Sequence, residues 1–278
     1  MNIRRQFRLS VASAVRPGEK EPVLLTEDFV ENIKEAAAMG YEGIEIHVQD
    51  PEAVDIEQIR LACQESHIDI SGIATGLAYA NEGLCLIHED ERIRKKAVER
   101  LKRFADMAAR LGTVLLIGRL KGDIPHMENY VYYEQMLAGG LTEAAQYASS
   151  KGVWIMLEAI NRYESNYMNR AGEIADFIRR YHIPSVKVLM DVFHMNIEEV
   201  SVTESIRENF GALGYFHIAD SNRMYPGAGH APLAEVLRVL QDLGYCGYVS
   251  LECMRIPDGR TAAREGIKYV TDKIQALN

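Results

Sequence analysis

Four residues in the second half of the chain carry side chains that bind cations. Each stands at the end of a short apolar run: IMLE (155–158), VLMD (188–191), GYFH (214–217) and VSLE (249–252). The residues are Glu158, Asp191, His217 and Glu252, separated by 33, 26 and 35 residues. Each interval is about one strand–helix unit. Three carboxylates and one imidazole make a mostly oxygen donor set. Such a set suits hard or borderline divalent ions, Mn2+ first, then Co2+ or Mg2+; zinc leans toward Cys and His without being excluded. Three ionised carboxylates gathered without a cation repel one another, and some take up protons instead. One strand-end Glu is ordinary. Four metal-competent residues on consecutive strands read as one shared metal site.

Elements must bring these residues together. Apolar, β-branched runs predict eight strands, at 7–13, 43–48, 68–74, 113–118, 153–159, 186–192, 214–220 and 248–253. Amphipathic segments lie between them. One opens at Thr26 as N-cap and closes on Gly40; a longer one, over about 89–112, closes on Gly112. Further helices are expected over 129–151, 170–182, 199–211, 232–243 and 260–277. Alternating strands and helices predict an α/β fold with a parallel sheet. Eight units favour closure, and no GxGxxG supports a doubly wound sheet. The expectation is one domain over 1–278, a single (β/α)8 TIM barrel. In that fold the C-terminal strand ends form one rim, where active sites sit.

Composition excludes several classes. The length of 278 residues is near that of one barrel, and 47% hydrophobic residues supply a core. The net charge of −9 opposes a nucleic-acid backbone. The basic stretch from Arg92 to Arg103 carries Glu99 and apolar residues at helical spacing, a solvated helix face. The four cysteines form no CxxC and no zinc or disulfide pattern. The basic N-terminus lacks a good secretory apolar region, and no run spans a bilayer. A reduced cytoplasmic protein that binds neither nucleic acid nor membrane is expected.

The segments LEAINRYES (157–165), LMDVFHMNIEE (189–199), FHIADSNRMYPGAGH (216–230) and SLEC (250–253) resemble the D-tagatose 3-epimerase and D-psicose (D-allulose) 3-epimerase family. That family lies within the xylose-isomerase-like barrel superfamily. DVFHMNIEE is the most specific piece, and the motifs run from about 150 to 255. The resemblance implies a metal held by Glu158, Asp191, His217 and Glu252, with Glu158 and Glu252 also the acid/base pair. It implies substrate contacts at Glu164, His194 and Arg223, and a small sugar as substrate. Related barrels form dimers or tetramers, so a homo-oligomer is expected by analogy. The first strand and its long polar loop depart from the family, as do the loops 76–91 and 118–130. Those loops shape the pocket.

The reaction implied is metal-dependent ketose 3-epimerisation of a free ketose through a cis-enediolate. Alternatives on the same scaffold are an aldose–ketose or hydroxypyruvate-type isomerase, with a phosphorylated or modified sugar open, or a metal- and sugar-binding barrel without catalysis. A DNA-cleaving relative needs clustered histidines; His47, His67, His88, His126, His182 and His230 show no clear cluster. Glu45 reads equally as a site partner or a structural residue. Tyr79 and Asn81 are candidates for the mouth. PGAG (226–229) reads as a turn positioning Arg223 rather than a phosphate site.

Overall fold

A computed structural model describes residues 7–276. The basic N-terminal start and the last position of the expected final helix lie outside those residues. Eight strands follow in chain order: β1 (Arg8–Ala14), β2 (Gly43–His47), β3 (Asp69–Ala74), β4 (Leu115–Ile117), β5 (Ile155–Glu158), β6 (Val186–Asp191), β7 (Leu213–Ile218) and β8 (Tyr248–Leu251). All neighbours pair in parallel, and β8 returns to β1 to close the barrel. The helices are α1 (Phe29–Ala38), α2 (Ile56–Ser66), α3 (Gly76–Glu82), α4 (Glu91–Leu111), α5 (Tyr130–Ser150), α6 (Ala171–Arg180), α7 (Val192–Glu198), α8 (Val202–Asn209), α9 (Leu233–Asp242) and α10 (Gly259–Ala276). Among the described residues no helix is long and apolar enough to cross a membrane.

The strands fall where their apolar runs place them, with ends that differ by one or two residues. Strands covered on both faces are mostly apolar runs, and β2 and β5 are buried at every position, Glu45, His47 and Glu158 included. The helices bury one stripe. In α4 that stripe contains Ala97, Val98, Leu101, Phe104 and Ala105, the face its spacing predicts. Gly112 takes the left-handed conformation (φ +66) that ends this helix.

Three departures have physical causes. The first helix is capped by Asp28, whose carboxylate accepts from Glu31 N, and not by Thr26. Leu25 forms a bridge to Ser13, and Thr26 O accepts from Arg16 N. That keeps the chain extended past Thr26. α2 lies in a segment where no helix is expected; Asp55 caps it, and Ile56, Ile59 and Ala62 form its buried side. α3 and α7 occupy segments read as a loop and as a strand end. α7 follows β6 without a turn, because Asp191 ends the strand and caps the helix through a bond from Phe193 N (2.8 Å).

Most of the apolar core lies between the strands and the helix layer. The barrel interior is partly polar. Ser10 Oγ meets Ser71 Oγ (2.6 Å), and Ser71 Oγ meets Tyr215 Oη (2.8 Å). The Tyr215 hydroxyl donates to Glu45 Oε2 (3.0 Å). This buried chain leads up to the rim where the functional side chains stand.

Phe104 is fully buried on α4. Phe104→Ala is expected to cost about 3–5 kcal/mol of stability. Urea denaturation monitored by circular dichroism measures the change.

Candidate active site

Glu158 ends β5, Asp191 ends β6, His217 is one short of the end of β7, and Glu252 follows β8 directly. Asp191 and His217 are register partners across β6 and β7. One donor atom from each of the four residues lies within 4.8 Å of the others. His217 Nδ1 is 3.7 Å from Glu158 Oε1, 3.9 Å from Asp191 Oδ2 and 3.4 Å from Glu252 Oε2. Ligands about 2.1 Å from one ion stand about 3 Å apart at right angles and about 4.2 Å apart when opposed. The spacings fall in that window. Glu158 Oε1 and His217 Nδ1 are buried with no hydrogen-bond partner. Buried polar atoms normally have one. A cation held by these four residues satisfies both atoms, so the donor set fits a divalent metal.

The imidazole is aimed by Glu45. Glu45 Oε2 accepts from His217 Nε2 (2.9 Å), which leaves Nδ1 facing the cluster. Glu45 Oε1 accepts from His47 Nε2 (2.9 Å). Burial alone would raise the Glu45 pKa, but His217 and then His47 outweigh it and hold this carboxyl far below its usual range. Burial alone would lower His217; Glu45 first and Glu252 second outweigh it and raise it well above an ordinary histidine. Glu252 is likewise held down, at about 2, by His217 and Arg223 against its burial. Glu45 is therefore a structural partner of the site and not a bystander.

Arg223 reaches the cluster from the loop after β7. Its Nη1 donates to Asp191 Oδ2 (2.6 Å), its Nη2 donates to Glu252 Oε2, and its guanidinium lies 4.7 Å from the Phe193 ring centre. Asp220 builds this loop by accepting from the backbone N–H groups of Ser221, Gly227 and Ala231. Within the PGAG segment the Gly227 N–H is thus taken by Asp220, and the Ala228 N–H donates to Tyr225 O, as in a turn beside Arg223.

His194 comes from α7 and is buried. Asn161 Oδ1 accepts from Tyr163 N (2.9 Å), so Asn161 Nδ2 is the donor to His194 Nδ1 (2.7 Å). The His194 proton then sits on Nε2, 3.7 Å from Glu158 Oε1 and 3.8 Å from Asp191 Oδ2. Glu164 is exposed on the loop after β5 and accepts from Asn161 Nδ2 (3.0 Å). Glu158, Glu164, His194, His217, Arg223 and Glu252 all line one cavity of about 200 Å³. Asp191 lies beneath it, fully buried.

Several residues at this cavity escape the sequence reading. His47 lines it, 3.8 Å from Glu252 Oε1. Its signal was the spacing of two from Glu45, which puts both on one face of a strand. Lys20, Glu21 and Pro22 reach the cavity from the loop after β1. Arg255 secures that loop by donating to the carbonyls of Gly18, Glu21 and Val23 (2.7–3.1 Å). Gly118 also lines the cavity; a Cβ there would lie 2.5 Å from Glu158 Oε2, so only glycine lets this carboxylate approach. Tyr79 and Asn81 do not line the cavity. Tyr79 donates to Asp123 (3.3 Å) beneath the Arg119 guanidinium, and Asn81 donates to Gln49 (2.8 Å).

Two expectations follow. Glu45→Gln removes the charge that aims His217 and should weaken metal binding about 10- to 100-fold, read by calorimetric titration. Lys121 is fully buried after β4, and its ammonium has no hydrogen-bond partner. Burial pushes its pKa from 10.5 down to about 8, against the pull of Glu158. The unfolded chain holds this proton more tightly, so the cost is fully present below about pH 8 and is relieved as pH rises toward 10.5. Lys121→Met should be more stable than wild type at pH 7 by about 3 kcal/mol. Urea denaturation across that pH range should show the gap narrowing.

Comparison with known proteins adds the family. Residues 33–273 match the family described as the xylose isomerase-like TIM barrel. The chain is 31% identical over 220 residues to L-ribulose 3-epimerase of Methylomonas sp. (strain DH-1), covering 78% of this chain and 75% of that protein. It is 30% identical over 232 residues to D-psicose 3-epimerase of Agrobacterium fabrum (strain C58 / ATCC 33970), covering 79% and 77%. The crystal structure of D-allulose 3-epimerase from Methylomonas sp. in complex with D-allulose superposes with a TM-score of 0.79 at 24% identity, over 96% and 98% of the two chains. At that identity the structural likeness speaks for the fold. The chain belongs to the xylose isomerase-like TIM barrel family, in the branch that contains the D-psicose and L-ribulose 3-epimerases.

Proposed function

We propose that this protein is a metal-dependent isomerase that interconverts C3 epimers of a free ketose through a cis-enediolate. Glu158 and Glu252 are the acid/base pair; Glu158, Asp191, His217 and Glu252 hold the ion, Mn2+ first, with Co2+ or Mg2+ as alternatives. Glu164, His194 and Arg223 contact the sugar. The observation that carries the reading is the meeting of two glutamates at one cavity around an imidazole aimed by Glu45. The relatives named L-ribulose 3-epimerase and D-psicose 3-epimerase support the same chemistry.

Inverting the carbon beside a ketone removes a proton from one face and returns one to the other. A bound divalent ion supplies Lewis-acid stabilisation of the charge that develops on the former carbonyl oxygen. The residues do the rest. Glu158 Oε1 and Glu252 Oε2 face His217, which leaves Glu158 Oε2 and Glu252 Oε1 outside that set and open to proton transfer. Two carboxylates on two strands can trade the roles of base and acid. Arg223 and the Nε2–H of His194 supply positive charge and a donor to the sugar oxygens. We also propose that 1–278 is one domain and that the protein works as a homo-oligomer in the cytoplasm, where its four free cysteines stay reduced.

Proton NMR in D2O with a panel of ketohexoses and ketopentoses, with and without Mn2+, tests the reading. The expected result is metal-dependent loss of the C3 proton together with a new epimer. Exchange at C1 with aldose formation would assign an aldose–ketose isomerase instead. Glu158→Gln and Glu252→Gln should each slow exchange about 10²- to 10⁴-fold. A folded, metal-binding Glu252→Gln that exchanges at the wild-type rate would remove Glu252 from this role.

A further inference from the structure

Arg119 lines the cavity beside Glu158 and Glu164, yet it has no part in the chemistry described above. It follows Gly118 in the turn after β4, where the backbone passes close to the Glu158 carboxylate. Three segments hold its guanidinium. From the segment after β3, the Tyr79 ring centre lies 4.9 Å from the guanidinium carbon, and the Tyr79 hydroxyl accepts from Nη2 (3.1 Å). From its own loop, Asp123 Oδ2 accepts from Nη2 (3.0 Å). From the loop after β5, Glu164 O accepts from Nη1. A long side chain clamped in this way has already lost its rotamer freedom, so a ligand that meets it does not bear that cost.

A guanidinium has five N–H donors. The bonds above occupy one on Nη1 and both on Nη2. Among the described residues, the Nε–H and the second Nη1–H have no protein acceptor. The charge of Arg119, in contrast, is matched. Asp123 pairs with it at 3.0 Å, and Glu21 and Glu164 stand on the same cavity wall. Unused donors on a compensated cation suit a neutral hydroxyl. A phosphate or carboxylate at this place would be repelled by those carboxylates.

Barrel order fixes which part of the sugar comes near. Glu158 ends β5, Glu252 follows β8, and His194 and Arg223 come from the segments after β6 and β7. When the ketone oxygen faces His194 and Arg223, C1 lies on their side. The longer arm of the sugar, from C4 outward, is left with the wall built by the segments after β1 to β4. Arg119 stands on that wall, and β4 lies across the closed barrel from β8.

We propose that Arg119 is a specificity-determining residue, which reads the hydroxyl groups of the free ketose beyond C4 through its Nε–H and Nη1–H. This rests on the epimerase reading and adds to it the residue that selects among ketoses. A site built to hydrogen-bond a substrate hydroxyl rejects the analogue that lacks it, because the donors are then left unpaired. Binding energy from a remote, non-reacting group can also raise turnover at the reacting carbon.

The test takes the ketohexose that turns over fastest in the panel and compares it with its 5-deoxy and 6-deoxy analogues. Epimerisation is followed by NMR with Mn2+ present. The expected result for the wild type is kcat/KM about 10- to 100-fold lower for one of the two analogues, the usual worth of a hydrogen bond to a charged group. Arg119→Met removes the donors and should erase that preference, by slowing the parent sugar far more than the analogue. A merely structural role for Arg119 would slow parent and analogue alike and leave their ratio unchanged, which overturns the proposal. A wild-type protein that does not distinguish the three sugars also overturns it, with no variant needed. Faster turnover of the 6-phosphate than of the free sugar would make Arg119 an anion site and overturns it as well. In each of these cases exchange at C3 continues, and the epimerase reading stands. Exchange in none of the sugars overturns that reading, and this inference with it.

Discussion

The hydrogen bond from His217 Nε2 to Glu45 Oε2 is the interaction around which this barrel is arranged. It crosses the interior from β7 to β2, and it decides which imidazole nitrogen meets the cluster. A carboxylate buried in a barrel core is costly unless it is paired and hydrogen-bonded. Glu45 receives three donors, from His217, His47 and Tyr215. The cost is thereby offset, and the second histidine, His47, is fixed at the cavity wall by the same anion. Tyr215 connects this group to Ser71 and Ser10 lower in the barrel. Polar order in the core and geometry at the rim are one network.

Around that network the site holds charges that no apolar core would tolerate. Glu158, Asp191 and Glu252 are buried together, and Arg223 pairs with the last two. Glu158 Oε1, His217 Nδ1 and the Lys121 ammonium stay without hydrogen-bond partners. Thr113 Oγ1 and Ser250 Oγ, outside the cavity lining, are buried without partners as well. For the two atoms of the cluster the reason is that an arrangement made for a ligand is incomplete without it.

The loops are held as firmly as the strand ends, by backbone acceptors and donors. Asp220 organises the turn that delivers Arg223, and Arg255 fastens the loop that carries Lys20 and Glu21 over the cavity. Family membership fits this division. Strand ends set the chemistry shared across a barrel family, and loops adapt it to one substrate. The segments after β1, β3 and β4, which depart from the resembling family, supply Lys20, Glu21, Pro22, Gly76, Gly118 and Arg119 to the cavity wall.

The sequence by itself determined the alternation of strands and helices, because short apolar runs and a 3.6-residue apolar period are written directly in residue type. It also brought out the four side chains that could hold a cation, since parallel strands in a barrel bring their C-terminal ends to one rim whatever lies between them. Within the resembling motifs it singled out Glu164, His194 and Arg223, which line the same cavity. Only the tertiary structure decided the rest. Whether Glu45 served the core or the site depended on a partner 172 residues away. His47 carried only its spacing of two from Glu45 as a signal until β2 placed it beside Glu252. Asp28 displaced Thr26 as a helix cap because a bridge between Leu25 and Ser13 kept the chain extended. Tyr79 and Asn81 turned away from the mouth because Asp123, Arg119 and Gln49 offered them partners. Each of these outcomes rests on a long-range contact, and a contact between distant residues leaves no mark on the local pattern of either one.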